Sequence, residues 1–332
     1  MLDSAFKARN LTAAINTMRP VKTPVLDAVF ARKSRQDGDL FGWDVKFSAR
    51  RLLPNIRVEA PATVRDKVGA KFVTCSAPRF AEKRFISAAS LNSARAFGSE
   101  FEKATIEQKV AENQFDMRGD VDRTREFMAV KALQGQVVDE AGTVLVDYGF
   151  AAGQKPVLEG EAVWTHANSD PIGNIRAWKK LIADSMDGVD GFLAFCGGSA
   201  MTALLKNASV RALLGYQKGA AIAEAGQVTR LAGLGDIQEY FGTYKNSAGA
   251  TQQLFPEDVF CLVGLSADHG AELYAPIVDL KAAGGVGNAL PAEVFFSKSW
   301  EEEEPSGRWV KAEARPLPIL YRPDCVVWAD VL

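Results

Sequence analysis

Four short runs in the chain hold residue types that can do chemistry. Ser266-Ala267-Asp268-His269 contains the three side chains of a hydrolase triad. A triad needs its members brought in from separate elements, and neighbours in one short run point apart. No G-x-S-x-G elbow accompanies them. The run reads as a loop closing the strand Val259–Gly264. Gly197-Gly198-Ser199 lies between a strand pattern and a helix pattern and could offer backbone N–H groups to a phosphate. It lacks the Lys-Ser/Thr pair of a P-loop, and tight turning accounts for it equally well. Gly284-Gly285-Val286-Gly287 has no βαβ frame around it and reads as a loop. Asp184, Asp187 and Asp190 imitate a calcium loop without its bidentate Glu.

Metal ligands are equally sparse. His166 and His269 are the two histidines, and neither has a partner at ligand spacing. The four cysteines, Cys75, Cys196, Cys261 and Cys325, form no C-x-x-C pair and sit among apolar or small residues. They are expected to be buried, inert thiols. The residues therefore predict no catalytic group, no metal and no cofactor.

The elements that would position such groups are clearer than the groups. Residues 2–17 have a helical composition broken by Pro20 and Pro24, and a short amphipathic piece follows at Val25–Ala31. Both are too short to hold a helix alone, so they read as an arm that needs a partner surface. Phe41, Trp43, Val45 and Phe47 alternate with polar or small residues, which is a strand period. The charged stretch from Arg50 to Ala77 reads as a long two-stranded loop, marginal unless it lies on a neighbouring chain.

The longest helix signal runs from Glu100 to Gln134, with a stripe of Ile106, Val110, Met117, Val121, Thr124 and Met128. Gly135 stops it, and Gly119 marks a place for a bend. A turn at Asp139–Gly142 and a strand at Thr143–Asp147 follow. Asp170-Pro171 opens another helix, Gly191–Phe195 is a buried strand, and residues 208–290 read as part of an inserted α+β domain. The tail, 292–332, returns to strands.

Length and composition bound the rest. The 332 residues suffice for two or more domains, and 47% apolar with 24% charged residues is ordinary for a globular protein. No apolar run approaches the roughly 18 residues of a membrane helix, and Lys7, Arg9 and Asn10 interrupt any signal-peptide core. A soluble, cytosolic product without a membrane partner is expected. The net charge of −2 conceals an asymmetry: residues 1–100 hold 18 Lys and Arg against 9 Asp and Glu, and the remainder is acidic. Three readings stand side by side: chance clustering on a solvated surface, a basic front that lies over the acidic part of the next copy, and a face that tolerates packaged nucleic acid.

Four patches in order resemble the phage lambda-like major capsid protein family. They are Glu126-Phe127-Met128-Ala129-Val130-Lys131-Ala132-Leu133-Gln134-Gly135; Val146-Asp147-Tyr148-Gly149; Trp164 with Ser169-Asp170-Pro171-Ile172; and Pro316-Leu317-Pro318 with Pro323-Asp324. The resemblance implies an α+β tailed-phage major capsid fold of the Hong Kong 97 type. It would have an N-terminal arm (1–35), an extended loop (36–86), a peripheral domain with a spine helix (87–175), an axial domain (176–290) and return strands (291–332).

It further implies an icosahedral shell of pentamers and hexamers around double-stranded DNA, maturing from a procapsid. Decoration, scaffold and portal proteins would be partners, and the location would be the virion after host cytoplasm. In that setting Arg50, Arg51, Arg57, Arg65, Lys67 and Lys71 are the expected inter-subunit contacts of the loop. The alternatives are an encapsulin-like nanocompartment, a cytosolic enzyme using the Gly197–Ser199 turn for an anionic ligand, and a phage tail protein.

Overall fold

The computed structural model describes residues 6–46, 70–93, 105–186, 188–216, 236–279, 281–282, 290 and 292–332. The chain opens with helices α1 (Ala8–Thr17) and α2 (Pro24–Val29). Strands β1 (Lys33–Arg35), β2 (Leu40–Lys46), β3 (Ala70–Ser76) and β4 (Phe80–Ser87) follow. Next come helices α3 (Ala88–Ser93) and α4 (Ile106–Leu133) and the hairpin β5 (Gln136–Val138) and β6 (Val144–Asp147). Helix α5 (Pro171–Ser185), strand β7 (Gly191–Cys196), helices α6 (Gly198–Lys206) and α7 (Ala208–Tyr216) and strands β8 (Asp236–Glu239), β9 (Thr243–Lys245), β10 (Thr251–Gln253) and β11 (Val259–Leu265) come next. The chain closes on β12 (Gly270–Tyr274), β13 (Phe296–Glu302), β14 (Gly307–Ala314), β15 (Pro316–Leu320) and β16 (Val326–Asp330).

Two compact units share these elements. The first takes residues 1–41, 74–129 and 271–319, and the second takes 42–73, 130–270 and 320–332. In the first unit, β13, β14 and β4 form an antiparallel sheet, and β1, β12 and β15 form a second sheet in which β1 runs parallel to β12. One face of the β13–β14–β4 sheet contributes Ile86, Val310, Ala312 and Ala314 to a core closed by Leu11 and Ile15 of α1 and Met117 and Val121 of α4. Helix α4 runs without interruption through Gly119, where an added Cβ would sit at ordinary contact distance from Val21. The helix does not break there, because the packing around it outweighs the weak propensity of one glycine.

The N-terminal segment corrects the sequence reading most. Its helices are not left waiting for a partner surface. Leu11, Ile15, Val25, Leu26, Val29 and Phe30 are buried within the chain. Thr12 Oγ1 donates to the Ser297 carbonyl at 3.1 Å and accepts from the Ser297 N–H at 3.0 Å, and the Asn16 amide donates to the Phe295 carbonyl. Short helices do need a packed face. Here the chain supplies that face itself.

In the second unit the sheet order is β16–β11–β7–β8, with β7 parallel to β8 and the other pairs antiparallel. Asp170 caps α5 by accepting from the Gly173 N–H at 3.0 Å. That helix turns Ile175, Trp178 and Ile182 inward, where Trp164, Trp178 and Phe260 meet with ring centroids 5.2–6.1 Å apart. Strand β16, grouped in the sequence reading with the return strands 291–332, pairs with β11 and so joins this unit. Its run Val326-Val327-Trp328-Ala329 is buried throughout and needs a covered sheet, and sequence order does not say which sheet provides it.

Candidate assembly surface

Side chains four residues apart lie one above the other on a helix face. On α4 the positions Gln114, Arg118, Asp122 and Glu126 form such a row, and all four are buried. Each takes a backbone group of the N-terminal segment in matching order. Gln114 donates its amide to the Leu11 carbonyl at 3.2 Å. Arg118 donates to the Ile15 carbonyl. Asp122 accepts from the Val21 N–H at 3.3 Å. Glu126 accepts from the Val25 N–H at 2.9 Å and the Leu26 N–H at 3.0 Å.

The signs follow helix electrostatics. Arg118 meets a carbonyl in the last turn of α1, the negative end of that helix. Glu126 meets two free N–H groups in the first turn of α2, the positive end. Pro24 at the head of α2 has no N–H to satisfy, and Thr23 gives no side-chain cap, so Glu126 is the anion that completes this terminus.

Arg125, one residue back, ties the same helix to β12. Its guanidinium forks onto the Glu272 carboxylate with two bonds of 2.7 Å. It also donates to Tyr274 Oη and Asp122 Oδ1, each at 2.7 Å. Burial alone would lower the Arg125 pKa, but the Glu272 bond and charge, with Tyr274 and Asp122, outweigh it and raise it. Glu272 and Tyr274 reach the same guanidinium because alternate strand residues share a face.

A second buried carboxylate sits at the end of β14. Glu313 is fully buried and accepts from Arg79 at 2.7 and 3.1 Å, with Lys311 also paired to it. Burial pushes its pKa up, and the bonds and charges of Arg79 and Lys311 more than reverse this, so it is held below the usual carboxylate value. Asp279 is lowered too: burial raises it, and Lys298 outweighs that. Depressed folded values contribute stability that is complete above the unfolded carboxylate range, about 4, and is lost as pH falls through the folded values. The melting temperature should therefore hold from neutral pH to about pH 5 and fall below about pH 4, with part of that fall removed in Glu313→Gln. A melting curve that stays put down to about pH 2 would refute this.

The chemically suggestive runs resolve into structure. His269 Nδ1 faces the Ser266 backbone, so the run is a turn between β11 and β12 and no Ser–His pair forms. At the start of α6, the Ala200 N–H donates to the Glu257 carbonyl at 2.9 Å and Ser199 Oγ donates to the Glu257 carboxylate at 3.0 Å. The Glu257 carbonyl thus takes a helix N–H that an anion would use, and the Glu257 carboxylate takes the Ser199 hydroxyl. A Cβ on Gly197 would meet the Pro256 carbonyl oxygen at 2.3 Å, so close backbone approach is the use of that glycine. The neighbouring cavity, about 430 Å³, is lined by Ser199, Thr202, Lys206, Tyr240, Phe241 and Glu257 among others. Cys196, Cys261 and Cys325 are buried, with pKa values raised by burial, whereas Cys75 is half-exposed, contrary to the sequence reading. Among the described residues no group of His, Cys, Asp and Glu could hold a metal ion, and no helix is long and apolar enough to cross a membrane.

Of the expected contact residues, Arg50, Arg51, Arg57, Arg65 and Lys67 lie outside the described residues, as do Gly284–Gly287 and Asp187. Lys71 is described: it is exposed on β3 beside Phe72, which is 65% exposed. The sequence reading missed the row Gln114–Glu126. Its four-residue spacing was visible, but polar side chains at that period ordinarily mark a solvated face.

The whole arrangement recurs in solved structures. A phage-related protein from Bordetella bronchiseptica matches with a TM-score of 0.61 at 13% identity, covering 96% of this chain and 95% of that one. A putative prophage capsid protein from E. coli CFT073 matches with a TM-score of 0.61 at 15% identity, covering 98% and 99%. The capsid of the cyanophage P-SCSP1u matches with a TM-score of 0.54 at 8% identity, covering 95% and 89%. No curated protein matches the sequence. At these identities the likeness establishes the fold, the Hong Kong 97-type α+β fold of phage capsid shells. Over residues 7–331 the chain belongs to the family described as phage major capsid protein E. It is a shell-forming structural protein of the virion capsid and not an enzyme.

Proposed function

We propose that copies of this chain close into an icosahedral head of pentamers and hexamers around double-stranded DNA, maturing from a procapsid formed in the host cytoplasm. The observation that carries this reading is the family match, which spans nearly the whole chain. Residues 1–35, 36–86, 87–175, 176–290 and 291–332 take the roles of arm, extended loop, peripheral domain, axial domain and return strands. The arm in this reading is held on its own subunit. Decoration, scaffold and portal proteins would be the other partners of this assembly.

The extended loop contacts the next subunit through Arg50, Arg51, Arg57, Arg65, Lys67 and Lys71. Its described base supports this: β2 and β3 pair, and Lys71 and Phe72 face solvent. Electron microscopy of the expressed protein should show closed shells. Neutralising the six residues together should cut shell yield at least about tenfold and remove its sensitivity to salt, since screening acts on exposed charges over about 10 Å. Shell yield equal to that of the unaltered chain would reject the role of the loop. Rings or tubes in place of shells would reject the head reading.

A further inference from the structure

The β13–β14–β4 sheet has a second face, opposite the core. Register places Trp300, Trp309 and Phe85 side by side in one row across the three strands. The next row on the same face is Lys298, Lys311 and Lys83. The rings form a continuous surface: Trp300 and Trp309 are stacked at 6.3 Å, and Phe85 lies 4.8 Å from Trp309. Lys83 Nζ sits 4.6 Å above the Trp309 ring and Lys298 Nζ 5.3 Å above Trp300. Trp300 and Trp309 are partly exposed, whereas Trp43, Trp164, Trp178 and Trp328 are buried.

Like charges directly opposite one another weaken a sheet. Lys298 is relieved by Asp279 and Lys311 by Glu313. Lys83 has the Trp309 ring and, among the described residues, no acidic partner. Lys281 adds a further cation at the edge, in a cavity of about 310 Å³ that Lys298 and Trp300 also line. With Arg79, five cations face the three carboxylates Asp279, Glu313 and Glu302. The face thus sets a partly exposed aromatic row beside an excess of cations, with Lys83 and Lys281 the exposed lysines, and it is complementary to a polyanion.

We propose that this face binds duplex nucleic acid by its phosphodiester backbone, without sequence preference. Lysine ammonium groups take the phosphates, and the tryptophan rings pack against sugars and groove edges. Nothing on the face is built to enter a groove and read base edges, so the contact is positional. The proposal rests on the head reading, which places the protein around DNA.

The test uses the full chain, a short fluorescent duplex and a salt titration. Tryptophan emission should be quenched on binding, because the two partly exposed indoles are on this face. Lys83→Ala with Lys281→Ala should weaken binding about tenfold at moderate salt and flatten the log–log salt slope by about two. Arg176→Ala with Lys180→Ala, an equal loss of exposed charge in the second unit, should change neither. Equal losses in both pairs, or no quenching, would overturn the proposal. So would a platform variant that binds duplex normally yet fails to close shells, since the face would then be a protein interface. Duplex binding through this face by a chain that never forms shells would reject the head reading alone.

Discussion

Glu272→Ala should destabilise the protein by about 3–5 kcal/mol, because it strands the Arg125 guanidinium in a site from which water is excluded. Arg125 and Glu272 are 6% and 0% exposed, so neither charge can be rehydrated without opening the core. Tyr274 Oη and Asp122 remain near Arg125 and keep the loss finite. The loss measures the stranded charge and not the worth of the pair. Accordingly, Arg125→Met combined with Glu272→Leu should recover most of it, to within about 1–2 kcal/mol of the unaltered chain. Urea unfolding of the four proteins reads this directly. A Glu272→Ala midpoint indistinguishable from the unaltered chain would show that the fork does not hold α4 to β12.

Glu126→Ala should release the N-terminal segment. Two hydrogen bonds from N–H groups to a buried carboxylate are lost, and the first turn of α2 loses its counter-charge. Charge-assisted bonds of this kind contribute about 1.5–3 kcal/mol, and a partly buried charge at a helix end up to about 2 kcal/mol. Because the contributions overlap, a loss of about 3 kcal/mol is expected, on the order of a hundredfold in the opening equilibrium. Lys22 is exposed just before α2 and gives trypsin a site that becomes susceptible on opening. Cleavage there should accelerate by that factor in Glu126→Ala and by less in Glu126→Gln, which keeps one carbonyl acceptor. Unchanged cleavage rates would mean that apolar burial of Val25, Leu26 and Val29 alone holds the segment.

These two sites show where sequence and structure part company. The helix at 171–185, the body and end of the helix at 106–133, the hairpin around Asp139–Gly142 and the alternating strand at 40–46 were legible because each rests on local periodicity, a cap or a turn residue. The long helix itself starts at Ile106 behind Thr105 and not at Glu100. The alternation Phe41, Trp43, Val45 emerges as buried positions of β2 as the period required. The family was legible because its patches recur in order along the chain. The row Gln114, Arg118, Asp122, Glu126 was equally present in the sequence. Its meaning depended on what lay opposite, namely backbone groups about a hundred residues earlier. The aromatic and lysine rows were less accessible still. Phe85, Trp309 and Trp300 become neighbours only through the register of three strands, two of which lie more than two hundred residues from the other.

By itself, then, the sequence determined the main helices, the alternating strand and the capsid family. Those rest on local torsional preference, hydrophobic period and motif order, all of which act within a few turns of chain. The tertiary structure alone decided that the N-terminal helices are completed within their own subunit, that β16 joins the second unit, and that three aromatics and three lysines share one sheet face opposite the core. Each of these is a choice of long-range partner. Burial makes such a choice favourable only when charge and hydrogen bonds on both sides match, and a linear pattern carries one side of that match at a time.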